Sequence, residues 1–499
     1  MPETVAAMLG RRALLDGDRL AIVTPDSRLT YADLDARVSA TIDVLIERGL
    51  TKGERVAALL RNGVELVALY HAVARSGAVM VPVNWRLAPA EVAYIIGDSD
   101  PGMLVLDPAL EELTSGIDVD RLLEPRLAPG GELHVGPRRK AAALYRDQTD
   151  VDGDDPLLLV YTSGTTGRPK GAVLTHGQMF GASATIAFTV DYRPGDVSLI
   201  PTPMFHVGGL SFVTLAAHMG STAVVLPAWD PELALRTIVD EGVNHFFAVA
   251  AMLESLTRTP GFETADLSSL RWVMGGGAPV PIELIERFAQ FGIPLIQTYG
   301  ATETAGPATV VDVDHALSKA GSVGLPFFHT EICVVAADGS DVEQGQEGEL
   351  LIAGPHVATS YWQDPEASAK TFRHGWYHTG DIGRLDNDGY LTLVGRWRDV
   401  IITGGENVYP AEVEQILATH PAIVEVAVVG VADERWGEAV CAVVVPRDSD
   451  APPTLSDLEE HCTNHLAAYK QPRRLLIHNA PLPRTATGKV QREDLANEP

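Results

Sequence analysis

The sequence predicts an α/β protein: a large N-terminal body of helix-covered parallel sheets plus a β-rich subdomain, followed by a small α+β C-terminal domain. Three observations carry this reading. Buried-strand and helical patterns alternate through the first hundred residues and again from Leu157 to about residue 300, as parallel strands joined by helical crossovers require. From 320 to 395 the texture turns to short strands, and the last hundred residues form a separate mixture of helices and strands. With 499 residues, 46% hydrophobic and 21% charged, the chain is neither disordered nor fibrous and is long enough for two or three domains.

The elements follow in order. Thr30 and Asp33 make a capping box that opens a helix reaching about Arg48. Arg55–Leu60 reads as a buried strand, Val64–Arg75 as a helix, and Val79–Val83 as a strand. Pro89 starts a helix at its first turn, and Met103–Leu106 is a strand. Residues 110–155 lose the pattern: Pro129-Gly130-Gly131 and an acidic run from Asp150 to Asp155 suggest a loosely structured surface connection. Leu157–Tyr161 is a buried strand, and Asp386-Asn387-Asp388-Gly389 is a turn between two short strands. Ala411–Thr419 and Leu455–Ala468 read as helices, Val424–Val429 and Ala439–Val445 as strands. Gly395-Arg396-Trp397-Arg398-Asp399 falls between the two textures and divides the chain into 1–395 and 396–499.

Acidic residues number 66 against 38 basic ones, a formal charge of −28. So acidic a surface argues against nucleic acid and anionic membranes as partners. Cys333, Cys441 and Cys462 form no CxxC pair, zinc spacing or disulfide framework, which suits a reducing compartment. Glu3 comes early, and Arg11 and Arg12 close a short apolar stretch, so we expect no signal peptide and, without a long apolar run, no transmembrane helix. The expectation is a cytoplasmic protein, with monomer and homodimer both open.

Tyr161-Thr-Ser-Gly-Thr-Thr-Gly-Arg-Pro-Lys-Gly171 follows a strand and is expected to precede a helix. Its glycines let amide groups turn toward an anion; Thr162, Ser163, Thr165 and Thr166 around Gly164 add small donors; Lys170 adds a point charge. It is a phosphate-binding loop without the Gly-Lys-[Ser/Thr] spacing of a Walker A loop. A basic stretch, Lys470 to Arg492, contains no acidic residue and reads as an attractor of polyanions. Lysine is scarce, seven of the 38 cations, so Lys170, Lys470 and Lys489 within motif-like segments stand out.

The glycine-rich string resembles the phosphate-loop signature of the adenylate-forming superfamily: acyl-CoA synthetases, firefly luciferases and nonribosomal adenylation domains. Phe205-His206, Gly275-Gly276-Gly277-Ala278-Pro279, Gln297-Thr298-Tyr299-Gly300-Ala301-Thr302-Glu303, Tyr377-His378-Thr379-Gly380-Asp381, Gly395–Asp399, Gly404-Gly405-Glu406-Asn407 and Pro483–Lys489 resemble its other motifs, in the same order, over nearly the whole chain. Gly-Gly-Glu-Asn-Val-Tyr-Pro410 is most similar to bacterial fatty-acyl-CoA synthetases.

The resemblance implies a two-step reaction. A carboxylate attacks the α-phosphate of ATP to give acyl-AMP and pyrophosphate, and the thiol of coenzyme A then displaces AMP. It implies that Thr302 contacts the α-phosphate, Glu303 holds Mg²⁺, and Tyr299 stacks on adenine beside Gly276, Gly277 and Ala278, with Gln297, Thr298 and Gly300 around the nucleotide. Asp381 and Arg396 would take the ribose, and Lys489 would bridge carboxylate and phosphate. His206 would gate an acyl tunnel with small walls at Val207, Gly208, Gly209, Ala305, Gly306 and Pro307; Gly404, Gly405, Glu406 and Lys470 would meet coenzyme A; Arg398 would be the hinge of a mobile C-terminal domain. The uncharged tunnel favours a medium- or long-chain fatty acid. An aryl acid, a carrier protein as acceptor in trans, and a non-catalytic nucleotide-binding relative are the alternatives.

Overall fold

The computed structural model describes residues 3–117, 122–123, 150–162, 169–396, 399–403, 406–433, 435–463, 465–466, 468–484 and 490–496. Chain contacts divide it into two compact units, residues 1–332 with 352–378, and residues 333–351 with 379–499.

The first unit holds two large sheets. The nine-stranded sheet runs in the order Leu325–Pro326, Gly306–Val310, Leu295–Ala301, Trp272–Gly275, His245–Ala248, Val197–Ile200, Thr222–Val225, Leu20–Thr24, Ser27–Thr30. Its pairings from Leu295–Ala301 through Leu20–Thr24 are parallel, and antiparallel strands close both edges. The six-stranded sheet runs Leu122–Leu123, Met103–Leu106, Arg55–Leu59, Val79–Pro82, Pro156–Thr162, Lys170–Thr175. Strands buried on both faces explain the continuous apolar runs, as at Val79–Pro82 and Met103–Leu106, where every residue is buried.

Local signals act as expected. Thr30 and Asp33 exchange both capping-box bonds ahead of the helix Tyr31–Glu47, and Pro89 opens Pro89–Ser99. One element differs. The glycine-rich string leads into a strand, Lys170–Thr175, which pairs antiparallel with Pro156–Thr162; the helix starts only at His176. Ala172 and Leu174 are buried in the sheet, and the helix signal proper is the Thr175/Gln178 capping box. Most of the patternless 110–155 segment lies outside the described residues; a 3-10 helix, Pro108–Thr114, runs into its start, and Leu122–Leu123 within it pairs with Met103–Leu106.

The second unit carries the turn at Asp386–Gly389, between strands Trp376–Leu385 and Leu391–Arg396. Beyond it, strands Ile423–Asp433 and Gly437–Pro446 form a long hairpin with Ile401–Thr403 and Arg474–Ile477 flanking Gly437–Pro446, covered by helices Pro410–Leu417 and Leu455–Cys462. The second helix ends at Cys462, short of the Ala468 expected from periodicity.

Candidate active site

Four neighbouring parallel strands, Val197–Ile200, His245–Ala248, Trp272–Gly275 and Leu295–Ala301, have their carboxyl ends on the same side of the nine-stranded sheet, the usual place for a ligand in such sheets. The segments that follow them carry His206, Gly276–Ala278 and Thr302–Glu303. Close packing sets their residue types. A Cβ on Gly276 would lie 2.6 Å from Thr298 Cγ2 and 2.8 Å from the Thr298 carbonyl oxygen. One on Gly300 would fall on the Gly306 carbonyl oxygen. Gly277 instead has a positive φ of 76°. Gln297 and Thr298 are buried and bonded within the scaffold: Gln297 Oε1 accepts from the Gly321 amide (2.8 Å), and the Thr298 hydroxyl donates to the Thr309 carbonyl (2.6 Å).

Thr302–Thr304 is a 3-10 turn. It is fixed by Thr304, whose hydroxyl accepts from the Ala301 amide at 2.8 Å and meets the Gly306 carbonyl at 2.6 Å. Glu303 is buried, and its Oε1 accepts from the Tyr361 hydroxyl at 2.7 Å. Its other oxygen has no hydrogen-bond donor among the described residues. A hard carboxylate oxygen left over, with Tyr361 between it and Lys170, suits Mg²⁺, which takes one or two carboxylates and completes its shell with water and phosphate oxygens. Burial first, and the Glu303 carboxylate second, push the Tyr361 phenol well above its ordinary range.

Of the phosphate loop, Thr162 and Lys170 are described and Ser163, Gly164, Thr165 and Thr166 lie outside the described residues. Thr162 and Lys170 face each other across the hairpin. Lys170 Nζ lies 3.5 Å from Asp364 and 5.7 Å from the centre of the Tyr361 ring. Tyr361 and Asp364 had no signal in the sequence, because their partners are remote in the chain: Tyr361 and Glu303 are 58 positions apart.

On the acyl side, His206 precedes the helix Val207–Met219, and its carbonyl accepts from the Gly209 amide at 3.1 Å. Its ring stands edge-on to Phe205, 4.5 Å between centroids. A Cβ on Gly208 would come within 3.1 Å of the Phe247 ring, and one on Gly276 within 3.3 Å of the same ring. Phe247 therefore joins the acyl segment to the adenine-side segment. As one more apolar residue in a strand it was invisible in the sequence. Ala305 is fully buried with φ 52°, and a Cβ on Gly306 would lie 3.2 Å from Ser211 Oγ.

In the second unit, Asp381 and Arg396 are register partners, and Arg396 Nε donates to Asp381 Oδ1 at 2.6 Å. Arg398, Gly404, Gly405 and Lys489 lie outside the described residues; Glu406 begins the short strand Glu406–Val408. The basic stretch is largely matched by acids from other elements. Lys470 binds Glu412 at 2.7 Å, Arg484 binds Glu425 at 2.6 Å, Arg492 binds Glu414 at 2.7 Å, and Arg474 meets Asp433 at 3.3 Å. Arg473 sits over the Trp436 ring at 4.0 Å. The sequence showed the run of cations but not these cross-element acids.

A profile of the AMP-binding enzyme family matches residues 9–362, and one of the AMP-binding enzyme C-terminal domain matches 412–489. The chain is 38% identical to a long-chain-fatty-acid–CoA ligase of Mycobacterium tuberculosis over 98% of this chain and 97% of the relative. It is also 38% identical to a feruloyl-CoA synthase of Amycolatopsis sp., over 96% of each chain. Among solved structures, o-succinylbenzoate coenzyme A synthetase of Bacillus subtilis superposes with TM-score 0.86 at 31% identity. That match covers 100% of this chain and 99% of the other in the complex with its acyl-adenylate; the same enzyme is also known with ATP and magnesium ion.

Proposed function

The chain belongs to the AMP-binding enzyme family, and from that premise we propose that it is an ATP-dependent acid–thiol ligase that makes an acyl-CoA through an acyl-AMP. The observation that carries this is the junction of the phosphate-loop arm with Glu303, an acid with one oxygen uncommitted among the described residues, at the ends of parallel strands. Both steps disperse phosphate charge, so positioning and electrostatics supply the catalysis.

In this reading Ser163–Thr166 and Lys170 hold the phosphates, Thr302 contacts the α-phosphate and Glu303 holds Mg²⁺. Bound there, Mg²⁺ neutralises the charge of the leaving pyrophosphate. Tyr299 and the Gly276–Ala278 turn take adenine, while Asp381 and Arg396 take ribose. Lys489 brings its charge to the attacking carboxylate, and His206 stands beside the acyl group. Gly404, Gly405, Glu406 and Lys470 receive coenzyme A. Residues 396–499 act as a mobile domain hinged at Arg398, since Lys489 serves only the first step and the thiol needs a path in the second. The reaction belongs to the cytoplasm; among the described residues no helix is long and apolar enough to cross a membrane.

An apolar aliphatic acid is the substrate we favour, because Val207, Gly208, Gly209, Ala305 and Gly306 bring no charge to the tunnel. An aryl acid is the second reading, supported by the feruloyl-CoA synthase, which matches as well as the fatty-acid ligase does. The test is a pyrophosphate-release screen over C2–C20 aliphatic and aryl acids, each with and without coenzyme A. Thioester formation with long alkyl acids supports the first reading, and a preference for aryl acids supports the second. No release with any acid would overturn both.

A further inference from the structure

The segment Ala358–Asp364 touches both halves of the phosphate site. On one side the Ala358 amide donates to the Glu303 carbonyl at 2.7 Å, and the Tyr361 hydroxyl donates to Glu303 Oε1 at 2.7 Å. On the other, the Val173 amide donates to the Ser360 carbonyl at 3.1 Å and the Trp362 amide to the Gly171 carbonyl at 2.7 Å. Asp364 meets the Lys170 ammonium. The strap is itself held: the Tyr361 amide donates to Ser368 Oγ at 2.9 Å, and the Tyr361 ring packs on Phe372 with centroids 5.2 Å apart.

A hydrogen bond from a held donor to one oxygen of a buried carboxylate orients the group and aims its other oxygen. We propose that Tyr361 is the positioning residue of the metal site: its hydroxyl orients the Glu303 carboxylate and registers it against the Lys170 end of the phosphate loop. The strap thereby couples metal binding to phosphate binding. Tyr361 touches no reacting atom in this account. The inference rests on the ligase reading for the identity of the bound groups.

The test is equilibrium binding with the full chain. ATP affinity is measured by calorimetry along a Mg²⁺ titration and again with the metal chelated. For Tyr361→Phe, which keeps the ring packing, half-saturating Mg²⁺ should rise roughly tenfold, with metal-free ATP affinity unchanged. In a Glu303→Gln background the same substitution should add little, because the carboxylate it orients is gone. If Tyr361→Phe does not fold, Ser368→Ala, which loosens the strap at the Tyr361 amide, should move the Mg²⁺ midpoint the same way by a smaller factor. Superimposed titrations of variant and parent would overturn the proposal. So would a shift that persists undiminished in the Glu303→Gln background. Failure of the ligase reading shows differently, as a parent enzyme that forms no thioester whatever its metal titration.

Discussion

Gly276 and Gly277 are neighbours required for different reasons, and substitution separates the reasons. A methyl at Gly276 has nowhere to go, because Thr298 is fixed by its strand and by its bond to Thr309. The chain must move at the place where adenine is expected to approach, at an overpacking cost of about 1–3 kcal/mol. Gly276→Ala should raise the KM for ATP about tenfold. A methyl at Gly277 meets only Val249 Cγ1, at an ordinary 3.4 Å, but must adopt φ near 76°. That costs about 1–2 kcal/mol in conformation alone. Gly277→Ala should lower Tm by a few degrees and raise the KM for ATP less than Gly276→Ala does. Steady-state ATP kinetics and melting curves of both variants decide it; the opposite pattern would mean that space at Gly276 is not what the nucleotide needs.

At the scale of elements, the helix Arg492–Ala496 is small but placed to matter. Leu495 is fully buried with Ala427, Val429, Cys441, Val443 and Leu482, and Arg492 grips Glu414. Just before it, Arg484 and Val490 form an antiparallel bridge, and the Gln491 amide donates to the Pro483 carbonyl at 2.9 Å. Both ends of the stretch that carries Lys489 are thus pinned. Leu495→Ala should cost about 3 kcal/mol and loosen those ends. Single-turnover measurement should show acyl-AMP formation falling more than transfer from supplied acyl-AMP to coenzyme A; equal losses would show that the helix acts on the fold alone. Elements like these were only partly readable in advance. Capping boxes and N-terminal prolines work over three or four residues, so Tyr31–Glu47 and Pro89–Ser99 were legible. Lys170–Thr175 was not, because a short apolar run after a glycine loop fits a strand or a helix start, and pairing with Pro156–Thr162 decides. The motifs named Glu303, Asp381 and His206, yet not Tyr361, Asp364 or Phe247, whose meaning lies in contacts made through the fold. The same holds for Glu412, Glu414 and Glu425 against the basic stretch.

The whole molecule carries an acid sensitivity set by its interior. His71, His176 and His356 of the first unit are buried, and burial is the first cause that lowers their pKa values, to about 3, about 4 and about 4. Arg75 reinforces the shift at His71. In the unfolded chain each would titrate at about 6.5. Above that pH both states are neutral there and stability is unaffected. As pH falls below it, the unfolded chain takes up protons that the native state refuses, so stability is lost progressively, down to about pH 4 for His176 and His356 and about pH 3 for His71. At pH 5 the loss is about 2 kcal/mol for each histidine. The formal charge of −28 pulls the other way, since acid relieves self-repulsion, but ordinary carboxylates titrate at about 4 and stay largely ionised at pH 5. The histidines should therefore dominate between pH 7 and 5, and apparent Tm should fall through that window. His176 offers the cleanest test, because neither ring nitrogen has a hydrogen-bond partner among the described residues. His176→Leu keeps an apolar volume and loses no bond, so Tm at pH 7.5 should stay close to that of the parent while the decline toward pH 5 becomes shallower. Parallel Tm–pH curves for the two proteins would show that the buried ring is not what the acid acts on.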